Sequence, residues 1–201
     1  SGITGAPAVQ TSATALSPVG PYDITVGTGS LSSANYSFNL VNGKLAIEKA
    51  KLTITADNKS RSYGSPNPSF TASYSGFVNN ETLASSGVTG APSLTTSATA
   101  SSTVGTYDII ASAGTMVSSN YELNYVKGSL TINKVTLTVT ANNKSRIYGI
   151  ANPALTASYS GFVNNESLAT SGIAGTPSLT TSVSPSTAVG VYDIVAASGS
   201  L

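Results

Sequence analysis

The chain has 201 residues, of which only 8% are charged against a usual ~25%, and its net charge is +1. Because it carries neither a basic stripe nor a run of like charge, nucleic acid is excluded as an expected partner. Cysteine and histidine are absent, which excludes disulfides, thiolate zinc sites and histidine-based catalytic triads, and no apolar run reaches the ~18 residues that predict a membrane span.

The chain is built from three pieces of one repeat. "YGSPNPSFTASYSGFVNNETLASSG" from Tyr63 recurs as "YGIANPALTASYSGFVNNESLATSG" from Tyr148, at an offset of 85 residues. The motifs "VGPYDI", "VGTYDI" and "VGVYDI" hold the same offset, and no insertion or deletion is needed between copies. The predicted domains are residues 1–49, the C-terminal part of a repeat; residues 50–134, a complete repeat; and residues 135–201, an N-terminal part that lacks its last strand.

A change of phase in the alternation of apolar residues marks each boundary. In "KLAIEKAKLTITA", Leu45 and Ile47 are out of phase with Leu52 and Ile54. A slip of one residue turns all later side chains to the opposite face of a strand, so the two halves belong to different cores. The same slip recurs at Lys134. Since no Gly/Ser or Pro linker intervenes, the last strand of one repeat is expected to lead directly into the next repeat through a short, stiff joint.

The complete repeat is predicted to contain five strands, each with apolar side chains at every second position. Tyr121, Leu123 and Tyr125 share one face of the fifth strand, in which Gly128 predicts a bend. A loop containing Gly64 and Pro68 follows the first strand. The predicted strands are residues 51–56, 69–77, 92–98, 104–113 and 120–133.

One segment between the second and third strands carries a helical signal. In "NNETLASSG", Asn79 or Asn80 can cap a helix, Glu81 suits its positive end and Gly87 suits its end. The resulting order, ββαβββ with one short helix, favours a β-grasp-like fold for each repeat. The alternative is an immunoglobulin-like β-sandwich, since "VGTYDI" resembles the Gly-x-Tyr strand entry of such domains. Seven strands in two sheets without a helix would support the alternative.

The sequence predicts no catalytic, cofactor or metal site. The acidic residues do not form the Asp-x-Asp-like cluster of a calcium site, and Asp57 becomes Asn142 in the next copy. Most tyrosines alternate in phase with apolar residues and are predicted to lie in the core. Tyr63 and Tyr148, in the loop before a glycine, are the two candidate ligand-binding residues, because tyrosine can stack on sugars.

Taken together, these motifs resemble the MBG-type (YGX-type) tandem repeat of large bacterial surface adhesins and secreted proteins. The resemblance rests on Tyr63-Gly64, Asn67-Pro68, the Ser-Gly-Phe at residues 75–77 and the closing "GSLTI", and it covers the whole chain in fractional copies. It implies a tandem array outside the cell, at the bacterial surface, and it implies no chemical reaction or cofactor.

The leading functional hypothesis is therefore a rod-like stalk or spacer, in which length follows copy number. One alternative is a multivalent module that binds glycans or proteins, with avidity supplied by repetition. Another is the repeat subunit of an extracellular filament or sheath. The expected partners are neighbouring repeats of the same chain, other copies in a fibre, and surface glycans.

Overall fold

The computed structural model describes residues 2–201, which form sixteen β-strands and, within that range, no helix. The chain divides into two compact units, and each unit takes in residues from more than one repeat. The first unit contains the chain up to Lys59, Pro68–Ser97 and Thr106–Leu130; the second contains Ser60–Asn67, Ala98–Gly105 and Thr131–Leu201.

The first partial repeat forms two small sheets. Its strands are β1 (Ile3–Thr4), β2 (Ala8–Thr11), β3 (Gly20–Gly27), β4 (Ser32–Ser33) and β5 (Gly43–Ile47). Strands β2, β3 and β5 form an antiparallel sheet in the order β2-β3-β5, and β1 pairs with β4.

The complete repeat forms two larger sheets from seven strands. These are β6 (Ala50–Ala56), β7 (Lys59–Ser62), β8 (Ala72–Ser75), β9 (Ser93–Thr95), β10 (Gly105–Ser112), β11 (Tyr121–Val126) and β12 (Gly128–Asn133). One sheet has the order β7-β12-β10-β9 and the other the order β11-β6-β8. In the second sheet β6 runs parallel to β11 and antiparallel to β8.

The core of the complete repeat is centred on β6. Its alternate side chains Leu52, Ile54 and Ala56 are fully buried, as the period-two pattern predicted. Tyr121 of β11 lies in the same cluster, with its ring edge-on to Phe77 at a centroid distance of 5.8 Å. Burial of each large aliphatic side chain contributes roughly 1.5–3 kcal/mol. The other sheet also buries large side chains, namely Ile109, Leu130 and Ile132.

The last partial repeat reuses the strand register of the complete one. Its strands are β13 (Thr138–Ala141), β14 (Ala157–Ser160), β15 (Ser178–Thr180) and β16 (Val195–Ala197). Val139 pairs with Tyr159 as Ile54 pairs with Tyr74, at an offset of 85 residues. The β15–β16, β9–β10 and β2–β3 pairs likewise share one register. Where a strand pair forms in more than one copy, identical sequence spacing therefore gives it the same register.

The predicted helix over Asn79–Gly87 is wrong, and with it the β-grasp order ββαβββ. Asn79 and Asn80 have φ values of 55° and 58°, and the Glu81 N–H donates to the Val78 carbonyl. Two left-handed residues in succession are typical of a type I′ turn, and asparagine accepts that conformation more readily than most residues. Side-chain hydrogen bonds between Thr82 and Ser85 then compete with helix formation, which a segment this short cannot nucleate alone.

The strand and sheet count of the complete repeat instead matches the expectation for the immunoglobulin-like alternative. Sequence inspection missed β7, because its residues Lys59–Ser62 are polar and show no apolar alternation. It also merged β11 and β12, which belong to different sheets and are separated only by Lys127. The phase slip near residue 49 lies between β5 and β6, which likewise belong to different sheets.

Tyr125 provides a test of the core. Its hydroxyl oxygen is buried without a hydrogen-bond partner among the described residues, and burial, assisted by Tyr74, raises its pKa above the ordinary value of 10.0. We expect Tyr125→Phe to leave the unfolding free energy at pH 7 unchanged or to raise it by up to ~1 kcal/mol. The folded protein holds this proton more tightly, so stability falls as the pH rises above about 10, and the variant loses less of it.

Chemical denaturation at pH 7 and above pH 10 measures both effects. Tyr121→Phe is the matched control, because the Tyr121 hydroxyl donates to Glu81 and accepts from the Val78 N–H. That variant should lose about 1–3 kcal/mol at pH 7. A comparable loss for Tyr125→Phe would show that its hydroxyl makes a stabilising contact.

Candidate functional site

The loop around Tyr63 and Gly64 begins where β7 ends. The Tyr63 N–H donates to the Asn133 carbonyl over 2.8 Å. The Ser65 N–H donates to the Ser62 carbonyl over 3.2 Å, which closes a turn. Gly64 has a φ of 80°, in the left-handed region that favours glycine. We call residues 63–65 the Tyr-Gly loop. Backbone hydrogen bonds therefore hold both ends of the loop, independently of its side-chain contacts.

A buried arginine, two residues before this loop, holds the neighbouring segments in place by hydrogen bonds. The Arg61 guanidinium, in a residue only 8% exposed, donates to the Asn67 side-chain oxygen over 2.8 Å and to the Thr99 carbonyl over 2.5 Å. It also donates to the Ser62 carbonyl over 3.1 Å. The Asn67 amide donates in turn to the Ala98 carbonyl over 2.7 Å. The planar fork of arginine meets several acceptors at once, which offsets the cost of burying its charge.

The same arginine network recurs in the last repeat. Arg146 donates to the Asn152 side chain over 2.8 Å and also to the Ser184 carbonyl, and the Asn152 amide donates to the Val183 carbonyl over 2.9 Å. Sequence reasoning did not single out either arginine. The available signal was an arginine followed six residues later by asparagine-proline, in both copies.

Tyr63 contacts the repeat that follows it, and both residues of this contact lie in the second compact unit. Its hydroxyl donates to the Glu166 carboxylate over 2.5 Å. Beside it, a β-carbon on Gly64 would lie 2.7 Å from Cβ of Val163, closer than real β-carbons approach one another. Gly64 is thus required twice, for its backbone conformation and for this close approach.

An apolar cleft of about 470 Å³ adjoins this contact within the second unit. One side is formed by Tyr63 and Val104 of the complete repeat, and the other by side chains that follow the Lys134 boundary. The lining residues include Val135, Leu137, Phe162, Val163 and Ile173.

Tyr148 occupies the corresponding position in the last repeat but has different surroundings. It is 61% exposed and borders a separate cleft of about 620 Å³. A β-carbon on the following Gly149, whose φ is 84°, would meet no described atom within 4 Å. The two candidate residues are therefore not brought into one site: Tyr63 is covered by the next repeat, and Tyr148 is exposed.

The partner of the Tyr-Gly loop is a tight turn that occurs in two copies. Asn164 and Asn165 have φ values of 54° and 58°, and the Glu166 N–H donates to the Val163 carbonyl over 3.0 Å. We call residues 163–166, and their equivalents 78–81, the Asn-Asn turn. In the earlier copy the Glu81 carboxylate accepts the hydroxyl of the buried Tyr121. Burial and this hydrogen bond raise the pKa of Tyr121.

The boundary between the first and second pieces is also bridged, entirely within the first unit. The Val19 N–H donates to the Asn120 side-chain oxygen over 3.2 Å. Within the complete repeat, the Asn120 carbonyl accepts from the Ala50 N–H over 3.0 Å. The Lys49 ammonium donates to the Ser118 carbonyl over 3.0 Å. Val19 corresponds to Val104, which lines the cleft at the following boundary.

Several acidic residues hydrogen-bond to neighbouring side chains within the repeats. Asp57 accepts from the hydroxyls of Ser73 and Thr71, which lowers its pKa. Asn142 stands in its place in the last repeat and bonds the equivalent Ser158 and Thr156. Within residues 2–201 no three acidic residues are grouped closely enough to hold a metal ion.

These features define a tandem β-repeat protein whose repeat boundaries carry its most specific contacts. The sequence profile of the MBG domain (YGX type) matches residues 2–46, 52–131 and 137–201, so the chain belongs to that family. No curated protein and no solved structure was found to match. Within residues 2–201 there is no helix long and apolar enough to cross a membrane.

Replacement of Arg61 tests whether its network supports the Tyr-Gly loop. We expect Arg61→Lys to lower the unfolding free energy by about 2–4 kcal/mol, because a lysine ammonium cannot reproduce the fork and leaves buried acceptors unpaired. The matched control is Arg146→Lys. Its hydrogen bonds are exposed to solvent, so we expect a smaller loss of unfolding free energy there. Equal losses measured by thermal unfolding would contradict the distinction.

Proposed function

We propose that this chain is a segment of a rod-like stalk or spacer in an extracellular, adhesin-like bacterial protein, and that it acts mechanically rather than as an enzyme. Membership of the MBG family supports a repeat unit of large surface proteins. The observation that carries the proposal is the direct connection between repeats: β5 ends at Ile47 and β6 begins at Ala50.

The contacts at the two boundaries support a joint that resists bending. At the first, Val19 and Lys49 hydrogen-bond to residues 118–120. At the second, Tyr63 and Gly64 contact the Asn-Asn turn. Two residues connect the strands at the first boundary, and four connect Asn133 at the end of β12 to Thr138 at the start of β13, so little chain is left to flex. A flexible linker would instead make the end-to-end distance grow only as the square root of its length. In such an array, each repeat adds nearly its full length.

The exposed Tyr148 and its cleft favour one competing function, a binding module for glycans or proteins. In that case each repeat would contribute one weak site, and Tyr148→Ala would abolish binding to a glycan array without changing the joint. A subunit of a filament or sheath is the other alternative, and it requires lateral contacts between separate chains. Concentration-dependent assembly in light scattering would support it.

The stiffness of the joint can be measured because the chain contains no cysteine. Spin labels on Ser60→Cys and Ser160→Cys, both exposed and both in the second compact unit, report the separation of the second and third pieces by pulsed electron resonance. We expect a single narrow distance distribution. Four Gly/Ser residues inserted between Lys134 and Val135 should broaden it while each repeat stays folded.

The control carries the same four-residue insertion between Ala84 and Ser85, both exposed in a turn within the complete repeat and outside the Arg61 network. It should leave the distribution narrow. If the unmodified chain already shows a distribution as broad as that of the Lys134 insertion, the spacer mechanism is wrong and the binding-module alternative gains support.

A further inference from the structure

We propose that the Tyr-Gly loop is the element through which each repeat binds the next, and that it docks on the Asn-Asn turn of the following repeat. This inference rests on the proposed spacer function and names the contact that makes the joint stiff. It assigns Tyr63 and Gly64 to binding another repeat, in place of the ligand that the sequence suggested.

The first argument is the chemistry of the contact. The Tyr63 hydroxyl is a neutral donor and the Glu166 carboxylate is an ionised acceptor, which gives a charge-assisted hydrogen bond. The turn presents this carboxylate because Asn164 and Asn165 both adopt left-handed backbone conformations. Asparagine is among the few residues that accept them, so the two asparagines allow the turn to place the Glu166 carboxylate beside the Tyr63 hydroxyl.

The second argument is the steric fit beside the hydrogen bond. Only a glycine allows the loop to approach Val163 this closely, since an added β-carbon would lie 2.7 Å from two of its atoms. Gly149 has almost the same φ as Gly64 but has open space around the equivalent position. Backbone conformation alone therefore accounts for glycine at both positions, and docking adds a second requirement only at Gly64.

The third argument is that one turn can serve its own repeat and its neighbour together. Glu81 accepts the core Tyr121 hydroxyl through Oε2, and Glu166 accepts the docking Tyr63 hydroxyl through Oε1. A carboxylate offers about four lone-pair positions, so both bonds fit on one glutamate. In a repeat flanked on both sides, this glutamate would link the core of its own domain to the loop of the preceding domain.

The docking proposal predicts that Tyr63→Phe loosens the joint without unfolding the repeats. In the spin-labelled chain we expect the distance distribution to broaden, and hydrogen–deuterium exchange across residues 161–168 to accelerate by about tenfold or more, the factor for one lost charge-assisted hydrogen bond. Near-ultraviolet circular dichroism checks that both repeats remain packed. Glu166→Gln, which removes the charge from the acceptor, should have a similar effect.

The chain supplies its own matched controls at the exposed copy of the loop. Tyr148→Phe makes the same chemical change at an exposed tyrosine, beside a cleft that is lined by no residue of an Asn-Asn turn, and should leave both readouts unchanged. Gly64→Ala and Gly149→Ala share the cost of a β-carbon at positive φ, but only Gly64→Ala also meets Val163. We therefore expect only Gly64→Ala to accelerate exchange in residues 161–168.

The outcomes separate this proposal from the spacer function. If the Lys134 insertion broadens the distribution but Tyr63→Phe changes neither readout, the joint is stiff for another reason and the docking proposal is overturned. If the distance distribution of the unmodified chain is already broad, the spacer function fails, and hydrogen–deuterium exchange alone tests the docking contact. In that case the docking proposal is upheld if Tyr63→Phe accelerates exchange in residues 161–168 and Tyr148→Phe does not. Equal exchange rates in the two variants refute it.

Discussion

The organisation of this chain depends on the short connections between consecutive repeats, which are two residues at the first boundary and four, residues 134–137, at the second. β5 ends at Ile47 and β6 begins at Ala50, so two residues carry the chain from one sheet into another. A connection this short forces the neighbouring surfaces together, and they must then satisfy the polar groups and cover the apolar groups that meet there. The hydrogen bonds of Val19, Lys49 and Tyr63 can be understood as consequences of that constraint.

Within each repeat, the loops are ordered by hydrogen bonds more than by apolar burial. The chain has few charged residues, and its core is small, so loop conformation depends on groups such as the buried guanidinium of Arg61. That side chain donates to the carbonyls of Ser62 and Thr99 and to the Asn67 side chain, and Ser62 directly precedes the Tyr-Gly loop. The Asn-Asn turn achieves similar order differently, through two left-handed asparagines. Both devices recur at an offset of 85 residues, so each copy forms the same arginine network and the same turn.

Sequence alone predicted the repeat, the alternating strands and the buried faces, because period-two patterns and self-similarity are direct consequences of strand geometry. Prediction from sequence failed where local polar interactions determine the backbone conformation. Asn79 and Asn80 suit a helix cap and a type I′ turn equally well, and the turn was chosen by contacts that a linear pattern does not contain. Strand β7 is polar and held by pairing with β12, so no apolar period revealed it. Tyr63 was recognised as unusual, but its partner lies 103 residues away and could not be named from spacing.

The central claim is that the Tyr-Gly loop of one repeat rests against the Asn-Asn turn of the next. It is tested most directly by nuclear Overhauser effects between the Gly64 α-protons and the methyl groups of Val163 in the isotopically labelled full chain. The position of Val163 within van der Waals distance of Gly64 predicts strong cross-peaks, and no such cross-peak from the Gly149 α-protons to any valine of an Asn-Asn turn. Absence of the Gly64–Val163 cross-peaks in a spectrum that shows the β6–β11 pairing intact would contradict the account.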